Sequence, residues 1–92
     1  MRLPMKDKQE LDQERQHSRL LDSAIGQQVM ATLGKPEDLH KVLVRRLWEN
    51  HYRVNIFVGA DEYSNKIAHS YFLVADGDGK ILTATPKITK KY

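Results

Sequence analysis

From His17 to Leu33 apolar positions recur at helical spacing. Leu21, Ala24, Ile25, Gln28, Val29 and Thr32 follow an i, i+3, i+4, i+7 pattern, and Leu20 and Leu33 widen the stripe. The pattern predicts a helix that stops at Gly34, a favourable residue just past a helix end. Gly26 inside this helix costs about 1 kcal/mol relative to alanine and leaves room for a close neighbour. Pro36 then suits the first turn of a second helix reaching about Glu49, with Glu37 and Asp38 at the positive end of its dipole. In that helix Leu39, Val42, Leu43 and Leu47 form one apolar stripe, Val44 and Trp48 a second, and Lys41, Arg45 and Glu49 a wet face. Two stripes imply two surfaces to cover. Arg46 falls within the first stripe and reads as a snorkelling side chain.

The period then changes to two. Tyr52, Val54, Ile56 and Val58 alternate with Arg53, Asn55 and Phe57, as in a half-buried strand. Gly59 to Asn65 reads as a turn. Residues 66–75 and 80–85 read as two more strands around Asp76-Gly77-Asp78-Gly79, a sequence suited to a type I turn followed by a glycine at positive φ. A register with Val74 opposite Leu82 and Phe72 opposite Ala84 places Ala68, Phe72, Val74, Leu82 and Ala84 on the core face. Ile67, His69, Tyr71, Leu73, Ile81, Thr83 and Thr85 then share the reverse face. Residues 1–16 are charged or amide-bearing with scattered apolar positions, and read as a frayed helical lead-in or a disordered arm. The expected architecture is an α+β domain over residues 17–92: two helices packed on one face of a three-stranded antiparallel meander (ααβββ), preceded by the polar arm.

Two helices shelter only one face of such a sheet. The reverse face would expose Ile67, Tyr71, Leu73 and Ile81, and exposed apolar patches of this kind mark interfaces. The expected function is therefore a small non-catalytic interaction module that binds itself, as a homodimer, or a protein partner. Its contact residues are expected to be Ile67, Tyr71, Leu73, Ile81 and Thr83, with Val44 and Trp48 as a second patch. An unpaired edge strand offers another route to self-association. On this reading Leu73→Glu should split an oligomer and leave a folded monomer.

Composition changes this picture in few places. Ninety-two residues, 40% hydrophobic and 29% charged, fit one globular domain and not a disordered chain. The longest apolar runs, Val42–Val44 and Tyr71–Ala75, are far shorter than the roughly 20 residues of a membrane span, so no membrane association is expected. No apolar run of signal-peptide type follows Arg2, so no secretory signal is expected. With no cysteine, disulfides and zinc–thiolate sites are excluded, and a reducing cytoplasm fits.

The net charge of +3 and the pI near 9.3 direct attention to the four lysines Lys80, Lys87, Lys90 and Lys91. They support the alternative of a nucleic-acid-binding module of winged-helix-like outline, using Lys41, Arg45, Lys87, Lys90 and Lys91 against phosphates. The apolar circumference of the second helix leaves little surface for reading bases.

Catalytic chemistry finds no support. His17, His40, His51 and His69 show no metal-ligand spacing, and Lys87 stands where a calcium loop starting at Asp76 needs a bidentate glutamate. Gly77-Asp78-Gly79 leads into a strand and offers no helix N-terminus to a phosphate. Ser18, Ser64 and Ser70 have no nucleophile-elbow context, and Asp61-Glu62 reads as an acidic exposed turn. Neither a metal nor a cofactor is expected. The stretch Phe72 to Pro86 (FLVADGDGKILTATP) resembles the central hairpin of PAS-type sensor domains. That resemblance implies a small-molecule pocket between helices and sheet, although those domains place two strands before their helices.

Overall fold

A computed structural model describes residues 8–92, and side-chain environments from Arg15 onward. One helix, α1 (Lys8–Leu33), precedes four strands: β1 (Leu39–Trp48), β2 (His51–Gly59), β3 (Asn65–Ala75) and β4 (Ile81–Thr85). The strands form one antiparallel sheet in the order β1-β2-β3-β4. The α+β class holds, but the element count differs from the sequence expectation: one helix and four strands, not two helices and three.

The helix expected over residues 36–49 is strand β1. Its sequence, LHKVLVRRLW, satisfies both periods: Leu39, Val42, Leu43 and Leu47 suit a helix, while Val42 and Val44 alternate with Lys41, Leu43 and Arg45. Tertiary pairing decides between them. A tight turn at Glu49-Asn50, with Glu49 at φ 44°, folds β1 directly onto β2. Arg46 Nε donates to the Glu49 carbonyl at 2.6 Å and ties the turn. A helix here would leave the β2 edge unpaired, and the apolar surface that implied two helical stripes is instead a strand with apolar residues on both sides.

Helix α1 extends from Lys8 through much of the stretch expected as a frayed or disordered arm; residues 1–7 lie outside the described residues. Among its described side chains, those of the C-terminal half dock. Ile25, Val29 and Leu33, spaced one turn apart, are fully buried, whereas Arg15 to Leu20 are exposed. The helix ends where Gly34, at φ 92°, takes the left-handed conformation, and Gly34 N donates to the Met30 carbonyl at 2.8 Å.

The helix packs on the sheet side formed by Tyr52, Val54, Ile56, Tyr71, Leu73 and Ala75. Register explains that choice. Tyr52 lies opposite Leu73 and Val54 opposite Tyr71, so the alternating apolar set of β2 carries Tyr71 and Leu73 to its own side. Pairing of β3 with β4 begins at Ala75–Ile81, as expected from the turn. A bulge at Leu82 then shifts it by one, so that Val74 meets Thr83, Leu73 meets Ala84 and Phe72 meets Thr85. Pairing with β2 makes the two faces of β3 the reverse of those expected, while the bulge keeps Ala84 on the core side, where the sequence placed it.

Turn chemistry locks the hairpin ends. Gly79 lies at φ 85°, and the Asp76 carboxylate accepts the Asp78 and Lys80 amides at 2.9 Å each, the type I turn and glycine read from the sequence. Gln28 bolts α1 to this hairpin: its side-chain carbonyl accepts the Ile81 amide at 3.0 Å, and its Nε2 donates to the carbonyls of Gly79 and Ala24. At the other end the Asp61 carboxylate accepts the Tyr63 and Ser64 amides. Gly26 faces Val44 and Val42; an added Cβ would lie 3.5 Å from Val44, ordinary contact, so glycine is tolerated there and not required. After β4 the chain folds back, and the Lys91 and Tyr92 amides donate to the Leu33 carbonyl at 2.8 and 3.1 Å. No helix among the described residues is long and apolar enough to cross a membrane.

Candidate functional site

The sheet face opposite α1 is left uncovered among the described residues. Its side chains fall into cross-strand rows fixed by the register. Trp48, His51, Val74 and Thr83 make the row nearest the β1–β2 turn. Arg45, Arg53, Phe72 and Thr85 make the next. Leu43, Asn55 and Ser70 follow, and Lys41, Phe57 and Ile67 form the last.

Aromatic rings gather in the first two rows. Trp48 stacks on His51 with ring centroids 4.7 Å apart and an interplanar angle of 20°, and Phe72 lies 5.9 Å from Trp48 and 5.7 Å from His51. Trp48 nevertheless keeps 54% of its surface exposed, so part of the largest aromatic side chain in the protein faces water. Lys41 Nζ stands 4.8 Å above the centre of the Phe57 ring, a cation–π contact that holds the lysine over this face.

Charge on this face has one sign. None of the four strands contains an aspartate or a glutamate. Arg45 and Arg53 are direct cross-strand partners, an arrangement that is unfavourable by itself because opposed residues stand about 4.5–5.5 Å apart at Cβ. Arg53 is also held in place: its Nη1 donates to Ser70 Oγ at 3.1 Å, and Ser70 Oγ donates to Asn55 Oδ1 at 2.7 Å. The face thus presents an ordered guanidinium, a second guanidinium beside it, a half-buried Phe72 ring in the same row and an exposed indole one row away. Such a surface attracts anions and can stack planar groups.

Of the residues expected as a partner surface, Ile67, Thr83 and Trp48 stand on this open face, and Ile67 is 51% exposed. Tyr71 and Leu73 do not. They are 4% and 0% exposed beneath α1, and Ile81 packs against the same core. Burial, with the Tyr92 phenol beside it, raises the Tyr71 hydroxyl above its ordinary pKa. Val44 is half-buried on the helix side, where it lines a groove of about 490 Å³ with Asp22, Gly26, Met30 and Val42. Burial raises the Asp22 carboxyl above its ordinary pKa, against the attraction of Arg46.

The expected phosphate contacts also divide. Lys41 and Arg45 belong to the open face. Lys87 and Lys91 instead border a groove of about 380 Å³ along β3 at Ala68 to Tyr71, and Lys90 is exposed next to the backbone that caps α1. The winged-helix outline falls with the second helix. The histidines are dispersed: His51 lies on the open face, His40 stands 3.5 Å from Glu62, and His69 contacts the Tyr92 hydroxyl at 2.9 Å. Among the described residues no group of three or more histidines and carboxylates is placed to hold a metal.

Sequence reasoning missed Arg53, His51 and Phe72. The available signal was the lack of acidic residues across 39–48, 51–59, 65–75 and 81–85, which becomes visible once β1 is known to be a strand. No protein-family profile matches the chain, and comparison with curated proteins and with solved structures finds no significant match.

Proposed function

We propose that the protein is a non-catalytic binding module that engages an anionic partner through the open face of its sheet. The observation that carries this reading is the opposed pair Arg45–Arg53 on a sheet whose strands hold no carboxylate. Such a pair weakens the free protein and is relieved when an anion sits between the two guanidiniums. Exposed Trp48 supplies apolar contact area at the edge of the charged region. The test is retention on immobilised heparin and on poly-L-glutamate. Wild-type protein should bind and elute as salt rises, and Arg45→Glu/Arg53→Glu should flow through while keeping its circular dichroism spectrum. A wild-type protein that ignores both polyanions at low salt overturns the reading.

Self-association is a second reading, supported by a different feature. β1 is an edge strand whose outer backbone edge is unpaired among the described residues, and the apolar groove beneath α1 runs beside it. Two copies meeting through their open faces would oppose arginine to arginine, so the homodimer this reading favours extends the sheet through β1. Light scattering that gives a monomer mass at high concentration removes it. The lack of cysteine fits a reducing cytoplasm for either reading.

A further inference from the structure

Resting on the anionic-partner reading, we propose that the open face binds single-stranded RNA, with bases stacked on Trp48 and Phe72 and the phosphodiester backbone over Arg45, Arg53 and Lys41. Charge and ring placement together select this occupant. An acidic peptide would satisfy the cations but gives the exposed indole nothing to stack on. A duplex would satisfy the cations too, but its base faces are already covered by neighbouring base pairs, so the exposed indole has nothing to stack on. An unpaired strand offers both a phosphate chain and free ring faces, the combination that aromatic-basic sheet platforms accept.

The spacing agrees. Successive rows on the sheet lie two residues apart, about 6.7 Å, so the ring row and the arginine row are near enough to serve adjacent parts of one nucleotide. Arg53 is braced by Ser70 and Asn55 before any ligand arrives, which lowers the ordering cost of binding. Asn55 accepts from Ser70 through its carbonyl, which leaves its amide hydrogens directed to other acceptors. That amide, one row from Arg53, and the Thr85 hydroxyl on the far side of Phe72 suit the ribose 2′-hydroxyl, a group that DNA lacks.

Trp48 is the sole tryptophan in the chain, so its fluorescence reports this face alone. The experiment titrates full-length protein with 12-nucleotide oligo(A) and oligo(U) RNA, the corresponding DNA, a duplex, heparin and poly-L-glutamate. RNA strands should quench Trp48 and bind more tightly than the duplex or poly-L-glutamate. Affinity should fall with salt at a log–log slope near about −2, as for three phosphate contacts on a single strand. Trp48→Ala should weaken RNA binding about 5- to 150-fold and heparin binding far less, and Trp48→Phe should recover much of the loss. Arg45→Glu/Arg53→Glu should abolish binding of every polyanion.

Heparin and poly-L-glutamate binding without preference for RNA, without quenching and without an effect of Trp48→Ala overturns the RNA inference and leaves the anionic-partner reading standing, with an acidic protein as the partner. DNA binding as tight as RNA overturns the choice of RNA. Failure of all polyanions to bind overturns both readings.

Discussion

The two faces of this sheet are made from the same strands, yet they answer to different demands. On the helix side, Tyr52, Val54, Ile56, Tyr71 and Leu73 are closed off by Ile25, Val29 and Leu33, and among the described residues no buried polar or charged residue interrupts them. On the open side the same strands set Arg45 against Arg53 and leave Trp48 half in water. The first arrangement is what folding alone selects, because burial of each large apolar side chain contributes about 1.5–3 kcal/mol. The second works against folding. Arg53 is nonetheless ordered there by Ser70 and Asn55, which is the feature the proposed anionic partner would use.

The sharpest way to break this contrast is a pair of neighbours on β3. Leu73→Ala should destabilise by about 2–5 kcal/mol, and Leu73→Glu should prevent folding, because the site is sealed beneath α1. This replaces the sequence expectation that Leu73→Glu yields a folded monomer. Phe72→Ala, one residue away on the open face, should cost only about 1 kcal/mol. Urea unfolding of the three variants checks the contrast, and equal costs at positions 72 and 73 would reverse the face assignment.

Next in size is the bolt between helix and hairpin. Gln28→Ala leaves the Ile81 amide and the Gly79 carbonyl without their side-chain partner and should cost about 1–3 kcal/mol. Faster amide hydrogen exchange at Ile81 than at Val54 would localise the loss to the hairpin.

A smaller effect carries the opposite sign. Arg45→Thr removes the like-charge pair and places a β-branched residue in a strand, so it should stabilise the fold by about 0.2–1 kcal/mol while weakening polyanion binding. Stability and affinity moving in opposite directions, followed by thermal melting and heparin elution, would mark Arg45 as retained for binding.

The smallest effect lies at Asp22, on the helix side. Its folded carboxyl holds a proton more tightly than the unfolded one, so ionisation weakens the fold above the ordinary value of 3.8, and acidification restores the loss. Asp22→Asn should therefore raise the melting temperature slightly at pH 7. The two proteins should converge as pH falls below the ordinary carboxylate range. A gap that widens on acidification would contradict burial as the dominant cause.

Local rules made several elements legible in the residues themselves. The helical stripe through Ile25, Val29 and Leu33, its stop at Gly34, the alternation of β2 and the Asp76 to Gly79 turn each rest on contacts within a few residues, which any chain with those letters satisfies. Trp48, Lys41 and Arg45 were also recognisable as exposed candidates, although on a helix that does not form. Tertiary structure alone decided the rest. Leu39 to Trp48 fits two periods equally, and only pairing with β2 selects the strand. The face given to Tyr71 and Leu73 depends on β2 across the sheet, and a one-residue bulge at Leu82 keeps Ala84 inward. Periodicity reports which residues share a side, whereas which side meets the helix is settled by partners distant in the chain.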